Sequence, residues 1–207
     1  AFTDGAILRT HLLRPTWHFV TPADIRWMLA LTAPRVHALN AYYYRKCELD
    51  KTIFARSHDA LVNALQGGKQ LMREEVRTVL EQAGIATKGD LRFAYLMMHA
   101  ELDGIVCNGA RRGKQFTYAL VEERVPPTRK VDRDEALAEL VKRYFTSHGP
   151  ATVQDFTWWS GLHSLVSYGI ILSAGLFHNS PIVVGISLLN LFDPSQPYRN
   201  HGGTKLC

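Results

Sequence analysis

Cysteine is scarce in this chain of 207 residues, and the sequence motifs that usually mark metal and nucleotide sites are missing. The three cysteines, Cys47, Cys107 and Cys207, form neither a CxxC pair nor a Cys/His cluster, which argues against a disulfide scaffold and a zinc finger. No HExxH, Walker, GxSxG or GxGxxG sequence occurs, so metalloprotease, nucleotide-binding and serine-hydrolase sites have no support. We expect a cytoplasmic protein with reduced thiols and no bound metal.

Charge is missing from one long stretch, because no Asp, Glu, Lys or Arg lies between Ser164 and Phe192. Glycines and polar residues divide this stretch into apolar pieces shorter than the roughly 20 residues of a membrane-spanning helix. We interpret residues 164–192 as a buried helix or strand pair. A membrane-associating segment, and a tail produced by a change of reading frame, are the two alternatives.

The chain as a whole has the composition of a folded globular protein, with 46% hydrophobic and 21% charged residues. Its net charge of +5 suits a polyanionic partner without requiring one.

Bulky and polar residues alternate along residues 13–19, which predicts a half-buried strand. Trp17 and Phe19 fall on the face that the pattern predicts to be buried. Arg14 and His18 fall on the opposite face, where they could meet a ligand.

A hairpin partner and two helices complete the predicted N-terminal part. Residues 7–11 pair with the strand, and a cap, a proline and an acid at residues 21–24 begin a helix that runs to about residue 32. Pro34 is predicted to start a second helix, over residues 35–49.

Residues 51–121 show three short helix patterns followed by two strand patterns. The predicted helices cover residues 57–66, 72–82 and 90–103, and the strands cover residues 105–107 and 116–120. This order is the winged-helix arrangement, in which the hairpin forms the wing. The joining segment carries Arg111, Arg112 and Lys114, which can reach DNA phosphates or a narrow minor groove.

The third helix of this unit is predicted to expose both cations and acids. Arg92 and His99 are placed on its outward side together with Glu101 and Asp103. Because acids near phosphates weaken binding, we expect the wing to contact DNA more than this helix does.

The pattern begins again after a polar linker. Asp132 or Asp134 caps a helix over residues 135–145, and Thr152 with Asp155 forms a second cap. We therefore predict a mainly α, α+β protein with short β-hairpins, built of tandem winged-helix modules. The three predicted parts are the end of a first module with its connecting helices (1–50), a complete module (51–125) and a third winged-helix-like module with an atypical apolar tail (132–207).

Several stretches of the first 162 residues resemble the AlkZ-like winged-helix family, which includes bacterial DNA glycosylases that unhook interstrand crosslinks. The similar stretches are residues 14–20, 24–27, 109–118, 144–152 and 155–162. The resemblance implies a protein that grips duplex DNA in a concave basic channel, with no metal or organic cofactor.

The chain departs from the family pattern in two places. Glycosylases of the family carry a glutamine-containing catalytic motif early in the first module, whereas the first glutamine here is Gln66. The resemblance also implies a charged helix after Leu162, where the apolar stretch stands instead. We therefore expect this chain to be part of a longer protein, without a complete active site of its own.

Three functions follow as hypotheses. The first is a monomeric binder of double-stranded DNA related to repair glycosylases, the second is an active glycosylase that excises alkylated or crosslinked bases, and the third is a protein-interaction module. The candidate catalytic groups are His18, Asp24, His99 and His148. Asp24 is better explained as a helix cap and His148 as a structural residue in a turn, so His18 is kept as the catalytic candidate. The candidate DNA-binding residues are Arg14, His18, Arg92, Arg111, Arg112, Lys114 and Gln115.

Overall fold

The computed structural model describes residues 1–162 and shows a mainly helical fold with two antiparallel hairpins, which confirms the predicted α+β class. The strands are β1 (Leu8–Leu12), β2 (Thr16–Val20), β3 (Val106–Arg112) and β4 (Gln115–Leu120). The helices are α1 (Pro22–Lys46), α2 (Lys51–Leu65), α3 (Arg73–Gln82), α4 (Asp90–Leu102), α5 (Val121–Arg124), α6 (Arg133–Ser147) and α7 (Val153–Ser160). The predictions for the apolar stretch 164–192 and for the rest of the tail lie outside the described residues.

The first hairpin has the predicted period but the opposite face turned inward. Leu8 pairs with Val20 and both are buried, whereas Trp17 and Phe19 are exposed. The prediction that Trp17 and Phe19 are buried is therefore wrong, since they are 50% and 65% exposed. The strand is also shorter than residues 13–19, because Leu13 has a positive φ and begins the turn.

Helix α1 is one continuous helix of 25 residues, so the predicted break at Pro34 is wrong. Pro34 has no N–H to donate to the carbonyl of Ala30, one helical turn earlier. Both residues lie on the exposed side of the helix. Water can therefore replace the missing hydrogen bond. Buried residues on the other side, including Leu29 and Val36, hold the helix against the core on both sides of the proline.

The middle part forms three helices and a hairpin, in the predicted order. Helix α2 begins earlier than the predicted residue 57, because Asp50 caps it by accepting the Ile53 N–H at 2.8 Å. A short bridge adds to the hairpin: Leu71 and Tyr118 exchange both backbone hydrogen bonds, at 3.1 and 2.7 Å. This bridge fixes the segment between α2 and α3 to the edge of β4.

The second hairpin is longer than the sequence pattern indicates. Strands β3 and β4 continue to Arg112 and Gln115, so the predicted joining loop is reduced to the turn at Gly113 and Lys114. A bulge between Asn108 and Arg111 interrupts the alternation of buried and exposed residues in β3. Because of this interruption, the alternation pattern predicts only the first residues of β3.

The predicted caps of α6 and α7 are confirmed. The Asp132 carboxylate accepts the N–H groups of Asp134 and Glu135, and Thr152 with Asp155 forms a reciprocal capping box. Helices α6 and α7 share one hydrophobic core with the first hairpin and the first half of α1. A second core lies inside the three-helix unit.

No helix in residues 1–162 combines the length and the apolar character that crossing a lipid bilayer requires.

Candidate functional site

The two hairpins meet at a surface where aromatic rings and guanidinium groups alternate. The Arg9 guanidinium lies between the rings of Trp17 and Phe116, 4.3 and 4.2 Å from their centroids. We call this surface the hairpin ridge, and it consists of Phe2, Arg9, Trp17, Phe19, Arg111 and Phe116. Phe2 bridges the two hairpins, with its ring centroid 5.3 Å from that of Phe19 and 5.1 Å from that of Phe116.

The charge within the ridge is held in place by stacking. The guanidinium of Arg9 is half-buried, and burial lowers its pKa. The negative charge of Glu101 acts in the opposite direction and raises this pKa. Arginine stays protonated even so, because its ordinary pKa lies far above neutral pH. The ridge therefore presents a fixed positive charge beside two exposed aromatic side chains, Trp17 and Phe19.

A buried polar contact joins the first hairpin to α4. The Glu101 carboxylate accepts the backbone N–H of His11 at 2.9 Å and also contacts Nδ1 of its imidazole ring. The Glu101 side chain is only 2% exposed, so this contact is almost fully removed from water. The backbone N–H of Arg9 donates to the side chain of Asn108 in β3, which fixes the register between the hairpins.

The base of the wing is packed against Gln70, whose amide oxygen accepts the Ala110 N–H at 2.6 Å. The Thr117 hydroxyl donates to the Ala110 carbonyl at 2.6 Å. A Cβ atom at Gly109 would lie 2.4 Å from the Thr117 hydroxyl oxygen and 2.5 Å from Oε1 of Gln70. Only glycine fits this position while those hydrogen bonds are kept.

We expect Gly109→Ala to lower the free energy of unfolding by about 1–3 kcal/mol, because the added methyl group must displace Gln70 or Thr117. Urea denaturation measures this loss. Gly113→Asn is the matched control in the same hairpin, since Gly113 has a φ of +61° with open space around it and Asn tolerates that conformation. An equal loss for both variants would contradict this explanation of Gly109.

Residues 111–115, which form the tip of the predicted wing and include its turn, are all exposed. Arg112 is paired with both carboxylate oxygens of Glu75, at 3.0 and 3.1 Å, and also donates to the Gln70 carbonyl. Within residues 1–162, Arg111 and Lys114 have no carboxylate partner, and the Arg111 guanidinium lies 5.4 Å from the Phe116 ring centroid. Two of the three cations of the wing are therefore available to a ligand, and Gln115 lies beside them at the start of β4.

The other two predicted cations are used inside the protein. Arg14 donates to the carbonyls of Trp158 and Trp159 at 2.8–3.0 Å and so closes the C-terminal end of α7. Arg92 donates to the Ala86 carbonyl at 2.7 Å and to that of Cys47. Their contact with DNA stays a prediction.

His18 lines a cleft of about 380 Å³ between the first hairpin, α1 and α6, together with Asp24 and Arg143. Burial lowers the pKa of His18, and its Nδ1 lies 3.0 Å from the Thr16 carbonyl oxygen. Asp24 contacts the Arg143 guanidinium at 2.8 Å and accepts from the Thr21 hydroxyl and the Trp27 indole. Burial opposes ionisation of Asp24, but these three partners outweigh it and lower its pKa, so the cleft holds an ionised carboxylate.

The outward face of α4 differs from the sequence prediction. Glu101 is buried against His11, and His99 is stacked on Phe54 with ring centroids 3.6 Å apart. The expected repulsion between Glu101 and phosphates therefore does not arise. His99 instead joins His37 and Asp103 in a group whose ligand atoms could hold a metal ion, although no metal-binding motif in the sequence predicts it.

Comparison with known proteins gives three matches of the same kind. Residues 1–166 match the family described as DNA glycosylase AlkZ-like. The interstrand DNA cross-link repair glycosylase of Streptomyces sahachiroi is 25% identical over 170 residues, which is 78% of this chain and 45% of that protein. The solved structure of the Streptomyces sahachiroi DNA glycosylase AlkZ superposes with a TM-score of 0.65 at 21% identity, over 83% of this chain and 48% of that one. The chain thus spans about half the length of these relatives.

Proposed function

This chain belongs to the AlkZ-like DNA glycosylase family, and from that premise we propose that it binds duplex DNA through the hairpin ridge and the wing cations Arg111 and Lys114. Binding is directed mainly at phosphates and groove shape and is therefore largely independent of sequence. The chain acts as a monomer, inside the cell where its DNA partner lies, as part of a larger repair protein. The proposal includes the division of the chain into three winged-helix parts, at residues 1–50, 51–125 and 132–207.

One observation carries the proposal, namely the stacking of Arg9 between Trp17 and Phe116. This contact joins the two hairpins into one surface that carries the exposed rings of Trp17 and Phe19. The same surface carries the wing cations Arg111 and Lys114, which have no carboxylate partner within the part of the chain that the structure describes. Cations supply affinity for the DNA backbone, and aromatic rings stack on bases that leave the helix. A surface with both features suits duplex DNA that contains a damaged or displaced base.

Salt titration of binding tests the proposal. We expect the logarithm of the association constant for a random-sequence duplex to fall against the logarithm of salt concentration with a slope of about −2 or steeper, because each neutralised phosphate contributes about −0.9. Fluorescence anisotropy with a labelled duplex measures the slope. DNA binding that does not depend on salt concentration would favour the protein-interaction function instead. So would the absence of DNA binding together with tight binding to a protein partner.

Base excision is the second candidate function, and the cleft at His18 and Asp24 favours it. An ionised carboxylate beside a neutral imidazole could stabilise the cationic sugar that forms when a glycosidic bond breaks. The cleft lies at the end of the first hairpin, next to the proposed DNA surface.

An abasic-site assay on alkylated duplex DNA distinguishes the two candidates. If this chain is a binding part only, the wild type releases no base above the background of DNA alone. If it excises bases, abasic sites form with the wild type and are lost with Asp24→Asn, whereas Asp59→Asn, which changes an exposed acid on α2 outside the cleft, keeps the activity.

A further inference from the structure

Four potential metal ligands converge where α1 meets the three-helix unit. His37 comes from α1, His58 from α2, His99 from α4 and Asp103 from the residue that ends α4. Nε2 of His37 lies 2.9 Å from Oδ1 of Asp103, and Nδ1 of His99 lies 3.3 Å from Oδ2 of the same carboxylate. Nε2 of His58 lies 3.3 Å from Nδ1 of His99.

We propose that this cluster is a binding site for a divalent transition-metal ion of the zinc type, with His37, His99 and Asp103 as ligands and His58 as the fourth. Zinc binds imidazole nitrogen and carboxylate oxygen at about 2.0–2.2 Å, which places neighbouring donors of a tetrahedral site about 3.3–3.5 Å apart. The donor pairs of the cluster lie between 2.9 Å, for His37 and Asp103, and 3.8 Å, for His58 and Asp103, and the ligand atoms of His37, His99 and Asp103 all lie within 4.8 Å of one another. Side-chain rotations would bring these donors to that geometry.

The surroundings of the cluster also suit an ion. The Tyr44 hydroxyl lies 3.0 Å from Nδ1 of His37, in the position of the outer partner that usually orients a ligating histidine.

An ion has a path to the cluster from solvent. Asp103 is 37% exposed, and a cleft of about 720 Å³ has His37 and Asp103 in its wall. The three histidines themselves are only 16–24% exposed, so an ion that enters is bound among partly buried donors. Because the ligands belong to α1, α2 and α4, a bound ion would tie the first part of the chain to the three-helix unit.

Zinc titration of the chelator-treated chain tests the proposal. We expect one zinc ion per chain by calorimetry, and a rise in melting temperature of about 5–10 °C at a zinc concentration one hundred times the Kd. Cobalt(II) serves as a spectroscopic probe, and its visible absorption should show four- or five-coordinate binding.

His37→Gln and Asp103→Asn each remove a ligand near the surface and should weaken zinc binding about 100-fold or more. His148→Gln, which changes a histidine outside the cluster, should leave the affinity unchanged and serves as the matched control. Absence of a stability increase, or zinc binding that survives both ligand substitutions because other histidines or cysteines supply it, would overturn the proposal.

Discussion

Replacing Arg111 and Lys114 together with Ala should weaken binding to random-sequence duplex DNA about tenfold at moderate salt and reduce the salt slope by about 2. The reason is that these two side chains are the exposed cations of the wing without a carboxylate partner among residues 1–162. Arg112→Ala should have a smaller effect on binding, because Glu75 already neutralises that guanidinium. Anisotropy titrations at several salt concentrations measure both quantities.

Lys142→Ala is the control for this experiment, since it removes one exposed cation on α6, outside the hairpin ridge. It should change the affinity for DNA little. A loss of affinity with Lys142→Ala equal to that of the double variant would mean that overall charge, rather than the wing, governs binding. Circular dichroism of each variant shows whether the fold is kept.

Glu101→Ala should lower the free energy of unfolding by about 3 kcal/mol. The substitution leaves the backbone N–H and the imidazole of His11 without their acceptor in a site that is almost closed to water. Because this contact joins the first hairpin to α4, the hairpin should also lose protection of its backbone amides against hydrogen exchange. Urea denaturation measures the stability, and exchange of residues 8–20 measures the local effect.

Two further variants separate this explanation from a general effect of losing an acid. Glu101→Gln keeps an oxygen that can accept the His11 N–H, so its loss of stability should be about half that of the Ala variant. Glu139→Ala removes an exposed acid that pairs with Arg143 and should cost less than about 0.5 kcal/mol. Equal losses for Glu101→Ala and Glu139→Ala would contradict a buried role for Glu101.

The order of elements could be predicted from the sequence, because caps and glycines mark helix ends locally. The cap at Asp132 and the capping box at Thr152 confirm this, and so does the three-helix unit followed by a hairpin. Pro34 shows the limit of such signals. A proline on the exposed side of a helix leaves its unpaired carbonyl to water, and packing on the opposite side then decides that the helix continues.

The orientation of the first hairpin could not be predicted from alternation alone. A period of two residues gives two faces, and the larger apolar side chains normally indicate the buried one. Here Trp17 and Phe19 are held by Arg9 and Phe2 instead, and smaller residues such as Leu8 and Val20 fill the core. Alternation alone therefore places in the interior the two exposed rings, Trp17 and Phe19, that matter most to the proposed function.

The cluster of His37, His58, His99 and Asp103 lacks a sequence signal of the usual kind. Its ligands are spread over three helices, and only His99 and Asp103 are close in sequence, four residues apart. Sequence motifs detect sites whose ligands share one helix or loop, so a site assembled by packing of distant helices escapes them. Partners such as Glu101 with His11 escape for the same reason.

Photocrosslinking from the hairpin ridge tests its contact with DNA most directly. We expect the photoreactive residue p-benzoylphenylalanine at position 19, where Phe19 is 65% exposed, to crosslink to a labelled duplex on irradiation. The same residue at position 39, where Leu39 is 50% exposed on α1, should give no crosslink above background. Crosslinks from position 39 but not from position 19 would contradict the hairpin ridge as the DNA-binding surface.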